Sequence, residues 1–413
     1  MSTDVFVRLL LFIAFIAVSA RLVGGLFQRI GQPVVVGEIA LGVGLGVALP
    51  HMGALDALLS GDLLSYLTAF ANVGVILFML VSGLEVDTQL VRRNGGRVGV
   101  VAGAALLVPL CLGVAVAVLY LGPRYGAAGA GFALFVGVAL AVTALPVLVR
   151  IVVEHRLEKT QVGQFAISCA ALNDVAAWLL LGTAVVLADN RQHPGGLTTL
   201  LGGPPVIAAI LAAGRLLRVS RVAALCQRSP LFVAMVGALV CGAATEIVGL
   251  HFVFGAFLFG LVFPRAEGST IIDSTRSLAS VLLPVFFVLA GTRAAQFEGS
   301  WRTAIDLALV LAIAVLGKIG GTYLAARLIR LDRGEAGRLA ALMNSRGVTE
   351  LIAVSVGVST GILPAGLYAV FVAMALITTA MTAPLLRLFG DPYRSGRSGR
   401  SDPVPALADL PTR

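Results

Sequence analysis

Asp174 stands in the string Ser168-Cys169-Ala170-Ala171-Leu172-Asn173-Asp174-Val175-Ala176-Ala177-Trp178, inside the apolar stretch that runs from Gln161 to Ala188. About 20 residues rising 1.5 Å each span the hydrocarbon of a bilayer, so the stretch can cross and Asp174 falls near its middle. A carboxylate at that depth costs roughly 2.5–3.5 kcal/mol on insertion scales, and its default chemistry there is an ion or proton pathway. Ionised, it offers hard oxygen to an alkali cation; protonated, it is neutral. Asn173 beside it can fix local geometry through its amide or donate to unwound backbone. Lys318 lies mid-run in Val315-Leu316-Gly317-Lys318-Ile319-Gly320, flanked by glycines that allow close approach. It can neutralise the carboxylate and, unlike arginine, can lose its proton when buried, so both roles are open. Of the 30 basic residues only Lys159 and Lys318 are lysine, which makes a lysine in an apolar run informative.

Two further runs break helical chemistry at membrane depth. In Ala141-Val142-Thr143-Ala144-Leu145-Pro146, the proline removes a backbone donor and disfavours helix before it, and Thr143 offers a hydroxyl or carbonyl ligand. In Asn344-Ser345-Arg346-Gly347-Val348-Thr349-Glu350, polar groups and a glycine replace lipid-facing residues. Unwound backbone at this depth requires protein or a cavity around it, and its carbonyls and half-helix ends can serve an ion. Arg346 and Glu350, four apart, can form an ion pair on one helical face. The four cysteines, Cys111, Cys169, Cys226 and Cys241, have no metal spacing. No cofactor is expected. His251 is expected at an outer helix boundary, and Glu38, Glu85 and Glu246 as pairing or helix-end groups.

The elements that must position these residues are membrane spans. The chain is 58% hydrophobic and 12% charged, with a mean hydropathy of +0.98, which excludes a soluble domain. Apolar segments fall at 5–27, 33–49, 63–84, 98–121, 129–149, 161–188, 198–217, 229–248, 250–264, 277–292, 303–326, 338–358 and 365–388. The first has no basic n-region or small-residue cleavage site and reads as a retained span. With the N-terminus outside, 22 basic residues fall on the cytoplasmic side and 4 outside, as the positive-inside rule requires. The net charge of +9 is therefore a topology signal, and no nucleic-acid partner is implied. Residues from about 391 onward read as a disordered cytoplasmic tail.

The segments repeat upside down. Gly37-Glu38-Ile39-Ala40-Leu41-Gly42 in the second matches Gly255-Ala256-Phe257-Leu258-Phe259-Gly260 in the ninth, and Phe78-Met79-Leu80-Val81-Ser82-Gly83 in the third matches Phe286-Phe287-Val288-Leu289-Ala290-Gly291 in the tenth. A shift of seven spans is odd, so the copies cross in opposite directions, the layout of many secondary transporters. The expected fold is all-α and polytopic, with about 13 transmembrane helices, an inverted-topology repeat and two broken crossing helices.

The chain as a whole resembles the monovalent cation:proton antiporters, second branch. The likeness is carried by Gly31-Gln32-Pro33 with Val36-Gly37-Glu38-Ile39, Gly83-Leu84-Glu85, Thr143-Ala144-Leu145-Pro146, Asn173-Asp174, Gly249-Leu250-His251 leading into Gly255-Ala256-Phe257, and Arg346-Gly347 with Glu350-Leu351. The run from Leu172 to Trp178 looks especially like the plant cation/proton exchangers. The resemblance implies a sodium/proton antiporter fold, usually dimeric, in the cell inner membrane. Scaffold spans would cover about 1–90 and 229–300, a mobile core about 95–190 and 301–390, and a linker helix about 196–222. It implies exchange of Na⁺ or K⁺ for H⁺ by alternating access, with Asp174 as shared ligand. Many bacterial members carry two adjacent aspartates where this chain has Asn173-Asp174. A proton-uncoupled potassium efflux pathway is the alternative of the same fold. An enzyme is opposed by the lack of a nucleophile–base pair in the spans, and a sensor by the lack of an output domain.

Overall fold

The computed structural model describes residues 3–30, 32, 34–51, 61–86, 95–157, 160–188, 195–219, 228–264, 268–295 and 300–389. Lys159 and the tail expected to be disordered lie outside the described residues. Among them the regular structure is helical throughout: α1 (Thr3–Arg29), α2 (Val34–His51), α3 (Gly61–Glu85), α4 (Gly95–Val116), α5 (Ala130–Ala141), α6 (Leu145–Glu154), α7 (Gln161–Ala188), α8 (Gly195–Leu216), α9 (Pro230–Ile247), α10 (Phe252–Val262), α11 (Gly268–Ala295), α12 (Trp301–Leu328), α13 (Arg333–Met343), α14 (Val348–Ser359) and α15 (Ala365–Leu388). Beyond α4 the chain continues through a π-helical turn, Ala117–Leu121, into a short turn, Gly122–Tyr125. Eight helices are long and apolar enough to cross a membrane, and five are shorter apolar helices. One or another of them falls in each of the thirteen apolar segments.

The fifth and twelfth segments are each split in two, α5 with α6 and α13 with α14. In the fifth, Pro146 sits in the first turn of α6, where its missing N–H costs nothing. The helix therefore restarts at Leu145, and the interruption is confined to residues 142–144. In the twelfth, α13 begins at Arg333, earlier than hydropathy suggests. Its first turn is polar, with Asp332 accepting from the Glu335 N–H at 2.6 Å as an N-cap. The turns that follow bury Ala336 and Leu339 to Met343 against protein.

Close helix crossings display the repeat directly. A Cβ on Gly42 of α2 would strike the Val288 backbone of α11, and one on Gly291 of α11 would strike the Ile39 carbonyl of α2. In the same manner Gly260 of α10 abuts the Leu80 carbonyl of α3, and Gly83 of α3 abuts the Phe257 carbonyl of α10. The α2–α11 and α10–α3 crossings are thus made by the same matched motifs with their roles exchanged, as an inverted repeat demands. Glycine is needed because the backbones touch there. Around the first of these crossings Leu9, Ile16, Leu63, Leu67, Val285 and Val288 form a separate apolar cluster.

The remaining packing positions Lys318. Gly317 lets α12 approach Pro109 of α4, and Gly321 lets it approach Ala104 and Val108. One turn of α12 is thereby pressed onto α4, with Lys318 wholly buried. Outward-facing residues such as Leu11, Leu22, Leu119, Leu316 and Leu328 are exposed, as expected of a surface whose solvent is lipid. The chain is a multi-pass membrane protein.

Candidate functional site

Both helix breaks meet at one point. The Ala144 N–H donates to the Ser345 carbonyl at 3.1 Å, and the Thr143 hydroxyl donates to the Met343 carbonyl at 3.2 Å. Unwound backbone from each half thus satisfies the other, which is how such segments survive without water. Thr379 of α15 adds a third support by donating to the Arg346 carbonyl at 2.7 Å. Gly347 packs against Val147 and Ala144 with no room for a Cβ.

The carbonyl end of α5 would be left bare by the interruption, because the last carbonyls of a helix have no intrahelical partner. Two buried cations cover it. Lys318 Nζ donates to Ala141 O, while the Arg346 guanidinium donates to Ala139 O at 2.8 Å and also to Leu140 O. Positive charge at a helix C-terminus opposes the negative end of its dipole. Arg346 Nη1 also pairs with Glu350 Oε1 at 3.1 Å, both side chains being fully buried, so the i, i+4 ion pair read from the sequence is present.

Asp174 and Asn173 lie on α7, each about 1% exposed. Neither Asp174 carboxylate oxygen has a hydrogen-bond donor among the described residues, and the Asn173 Nδ2 is also without a partner. The Leu145 amide, at the start of α6, acts on the carboxylate without a well-formed hydrogen bond; Lys318 and Glu85 act on it through space. Lys318 makes no ion pair with it within 4.0 Å. Four ionisable side chains are therefore buried here, Arg346 and Glu350 as a contact pair and Lys318 and Asp174 without direct contact. The crossing also gathers other polar atoms with no protein partner, namely Asn344 Oδ1 and Nδ2, Ser345 Oγ, Thr349 Oγ1 and Glu350 Oε2. Buried polar atoms are normally satisfied, so their concentration here marks a place for water or an ion.

The structure thus brings Thr143, Lys318, Asn344, Arg346, Gly347 and Glu350 to one crossing, with the start of α6 at Leu145 and Pro146 beside it and Asp174 against that start. No group of three or more His, Cys, Asp or Glu side chains suited to a resident metal occurs among the described residues. Thr379 went unnoticed in the sequence, whereas Ser345 and Thr349 were legible there only as part of the polar run from Asn344 to Glu350. Thr379 had a signal, since Thr378, Thr379 and Thr382 break the apolar run of α15.

Crossing half-helices around a buried acid, in an inverted repeat, are the layout of many secondary transporters. The chain belongs to the family "Sodium/hydrogen exchanger, transmembrane", which matches residues 14–388. It is 35% identical over 408 residues to Cation/H(+) antiporter 20 of Arabidopsis thaliana, covering 92% of this chain and 48% of that protein. It is 32% identical over 404 residues to Na(+)/H(+) antiporter NhaS4 of Synechocystis sp., covering 94% of this chain and 98% of that one. The chain spans about half the length of the plant relatives it matches. Its fold is similar to that of the sodium proton antiporter MjNhaP1 from Methanocaldococcus jannaschii, with a TM-score of 0.66 at 16% identity, covering 94% of this chain and all of that one.

Proposed function

We propose that this protein exchanges Na⁺ or K⁺ for H⁺ by alternating access, with Asp174 as the ligand that cation and proton share. The observation that carries the reading is the Asp174 carboxylate, buried at the helix crossing with both oxygens free of donors. A desolvated carboxylate in that state is stabilised by a bound cation or by a proton, and one group that holds either species but not both couples the two fluxes. Asn173, Thr143 and the carbonyls of the crossing complete the shell of a dehydrated alkali cation. The names of the relatives support the pairing: a cation with H⁺ for the Arabidopsis protein, Na⁺ with H⁺ for the Synechocystis protein.

Lys318 and Arg346 act as fixed cations that hold the end of α5. With Lys318 committed to the Ala141 carbonyl, Asp174 alone changes its charge during the cycle. The exchange is then one cation for one proton and moves no net charge. Residues 1–90 and 229–300 form the scaffold and the dimer contact. Residues 95–190 and 301–390 form the moving core, and α8 lies in the linker near 196–222. The protein sits in the cell inner membrane with its N-terminus outside and its C-terminus in the cytoplasm.

The test is cation-driven proton movement in proteoliposomes with Na⁺ and with K⁺, with and without an ionophore that clamps the voltage. Exchange that vanishes in Asp174→Asn and ignores the clamp is the expected result. Cation flux indifferent to the proton gradient would establish an uncoupled efflux pathway instead. Wild-type rates in Asp174→Asn would remove the shared-ligand mechanism.

A further inference from the structure

His251 is held in an unusual place by an unusual turn. It precedes α10 with φ +63°, a left-handed conformation uncommon for a residue with a side chain. The turn is fixed by backbone bonds from Gly249 N–H to Glu246 O and from Leu250 N–H to Thr245 O, at 3.0 and 2.9 Å. The Glu246 carboxylate then caps α10 by accepting the Phe252 N–H at 2.7 Å. Backbone strain of this kind persists only where its surroundings over-determine it, and it clusters at functional positions.

The imidazole projects into the seam between two sets of helices. A cavity of about 140 Å³ is lined by Thr68 and Asn72 of α3, by Arg293 of α11, and by Ser355 and Ser359 of α14, with His251 in its wall. A second, narrower void of about 10 Å³ lies between Trp178 and Leu181 of α7 and His251 with Phe254, with room for about one water. His251, Val253 and Val356 line both. Trp178 is one turn along α7 from Asp174, and its ring meets Phe257 at 6.2 Å. The series from cavity to void to Trp178 therefore leads toward Asp174, from the end of the bundle where α1 begins. His251 Nδ1, in this wall, is buried with no hydrogen-bond partner among the described residues.

Among the described residues, Arg293 of α11 is the one charged side chain besides His251 in these walls, and Glu246 of α9, exposed and capping α10, stands beside the turn without lining either space; α3, α7 and α14 present no ionisable side chain to them. Tyr368 of α15 directs its hydroxyl to the Ala290 carbonyl at 3.3 Å. Protonation of His251 therefore adds a second positive charge to these walls beside Arg293, and imidazole is the side chain that ordinarily titrates between pH 5 and 8.

We propose that His251 guards the outer access route to Asp174, passing a cation as neutral imidazole and excluding it as imidazolium. The proposal rests on the exchange reading above and adds to it a sidedness that Asp174, reached from both faces in turn, does not supply. It makes His251 a positioning residue for cation entry rather than a ligand of the bound ion.

The experiment uses the full chain in vesicles of known orientation, with KM for Na⁺ and K⁺ measured separately from each face between pH 5 and 8. Wild type should show an outer KM that rises about tenfold more than the inner KM as pH falls on the measured face. His251→Gln should remove that excess, and His251→Arg should fix a high outer KM at pH 8 while sparing the inner one. Equal shifts on both faces, or an outer KM unmoved by His251→Arg, overturn the proposal. A second measurement needs no transport: Ser355→Cys, with the native cysteines replaced by serine, should react with a membrane-impermeant thiol reagent added outside and more slowly from inside. Reaction only from inside also overturns it. Absence of cation-driven proton movement in wild type would count against the exchange reading, and the labelling would still decide whether this cavity opens outward.

Discussion

Two buried aspartates in this protein are treated in opposite ways. Asp306, on α12, is wholly buried and accepts from the Tyr120 hydroxyl at 2.9 Å, the Arg124 Nε at 2.9 Å and the Tyr125 hydroxyl at 2.6 Å. Asp174, on α7, is as deeply buried and has no hydrogen-bond donor on either oxygen among the described residues. The first carboxylate is saturated, so nothing that arrives later finds a vacancy on it. It is a clamp between the segment that follows α4 and the start of α12, assembled by the π-helical turn Ala117–Leu121 that brings Tyr120 to the same acid as Arg124 and Tyr125. The second carboxylate keeps its lone pairs available, and its cost in stability is the measure of that availability. Counting donors thus separates a saturated buried acid from the one for which transport is proposed.

The largest effect that tests this contrast is on transport. Asp174→Asn should lower cation-driven proton movement by about a hundredfold or more, while its thermal unfolding midpoint in detergent stays level or rises, because an amide costs less than an unpaired carboxylate. A strongly destabilised Asp174→Asn would mean that unseen donors satisfy the group. Next in size is Asp306→Ala, which should cost about 2–3 kcal/mol of stability. That figure is below the penalty for a fully buried pair because the Arg124 side chain is 28% exposed and regains water. The folded fraction should transport at close to the wild-type rate, and a specific loss of turnover at normal stability would move Asp306 to the transport side of the comparison.

Lys318 sharpens the contrast further. Lys318→Arg should retain exchange within about fivefold, since either side chain can donate to the carbonyls that end α5, whereas Lys318→Ala should lose it. Rates measured with and without a voltage clamp check this, and charge movement present in wild type but abolished in Lys318→Arg would identify a proton carried by lysine. The smallest expected effect is that of Thr379→Val, which removes one donor to the Arg346 carbonyl. It should cost about 1 kcal/mol, read as a lowered unfolding midpoint, with KM and turnover little changed.

Hydropathy and the proline and glycine positions made much of the fold legible. The thirteen segments, the glycine-bearing repeat motifs and the two interruptions could be placed because each depends on residues near one another in the chain. The start of α13 escaped because Arg333, Glu335 and Arg338 are polar while the buried residues beyond them face protein rather than lipid. Asp174 and Lys318 stood out as charges in apolar runs. What Lys318 touches did not, since its partner Ala141 is 177 residues away and is a backbone carbonyl, which has no residue type to betray it. Asp306 was overlooked for the same reason: its three donors lie more than 180 positions earlier. The spacing of Tyr120, Arg124 and Tyr125 was the one local sign that a shared acceptor awaited them.

The cations over the end of α5 also bear on how the protein is made. Ala139, Leu140 and Ala141 enter the membrane in the first half of the chain, yet the side chains that satisfy their carbonyls arrive with α12 and with the break before α14. Until then three acceptors have no assigned donor in a medium that supplies none. The N-terminal half consequently cannot reach its final form alone during synthesis. It must wait, partly wet or held by an insertion factor, for the second half to close over it.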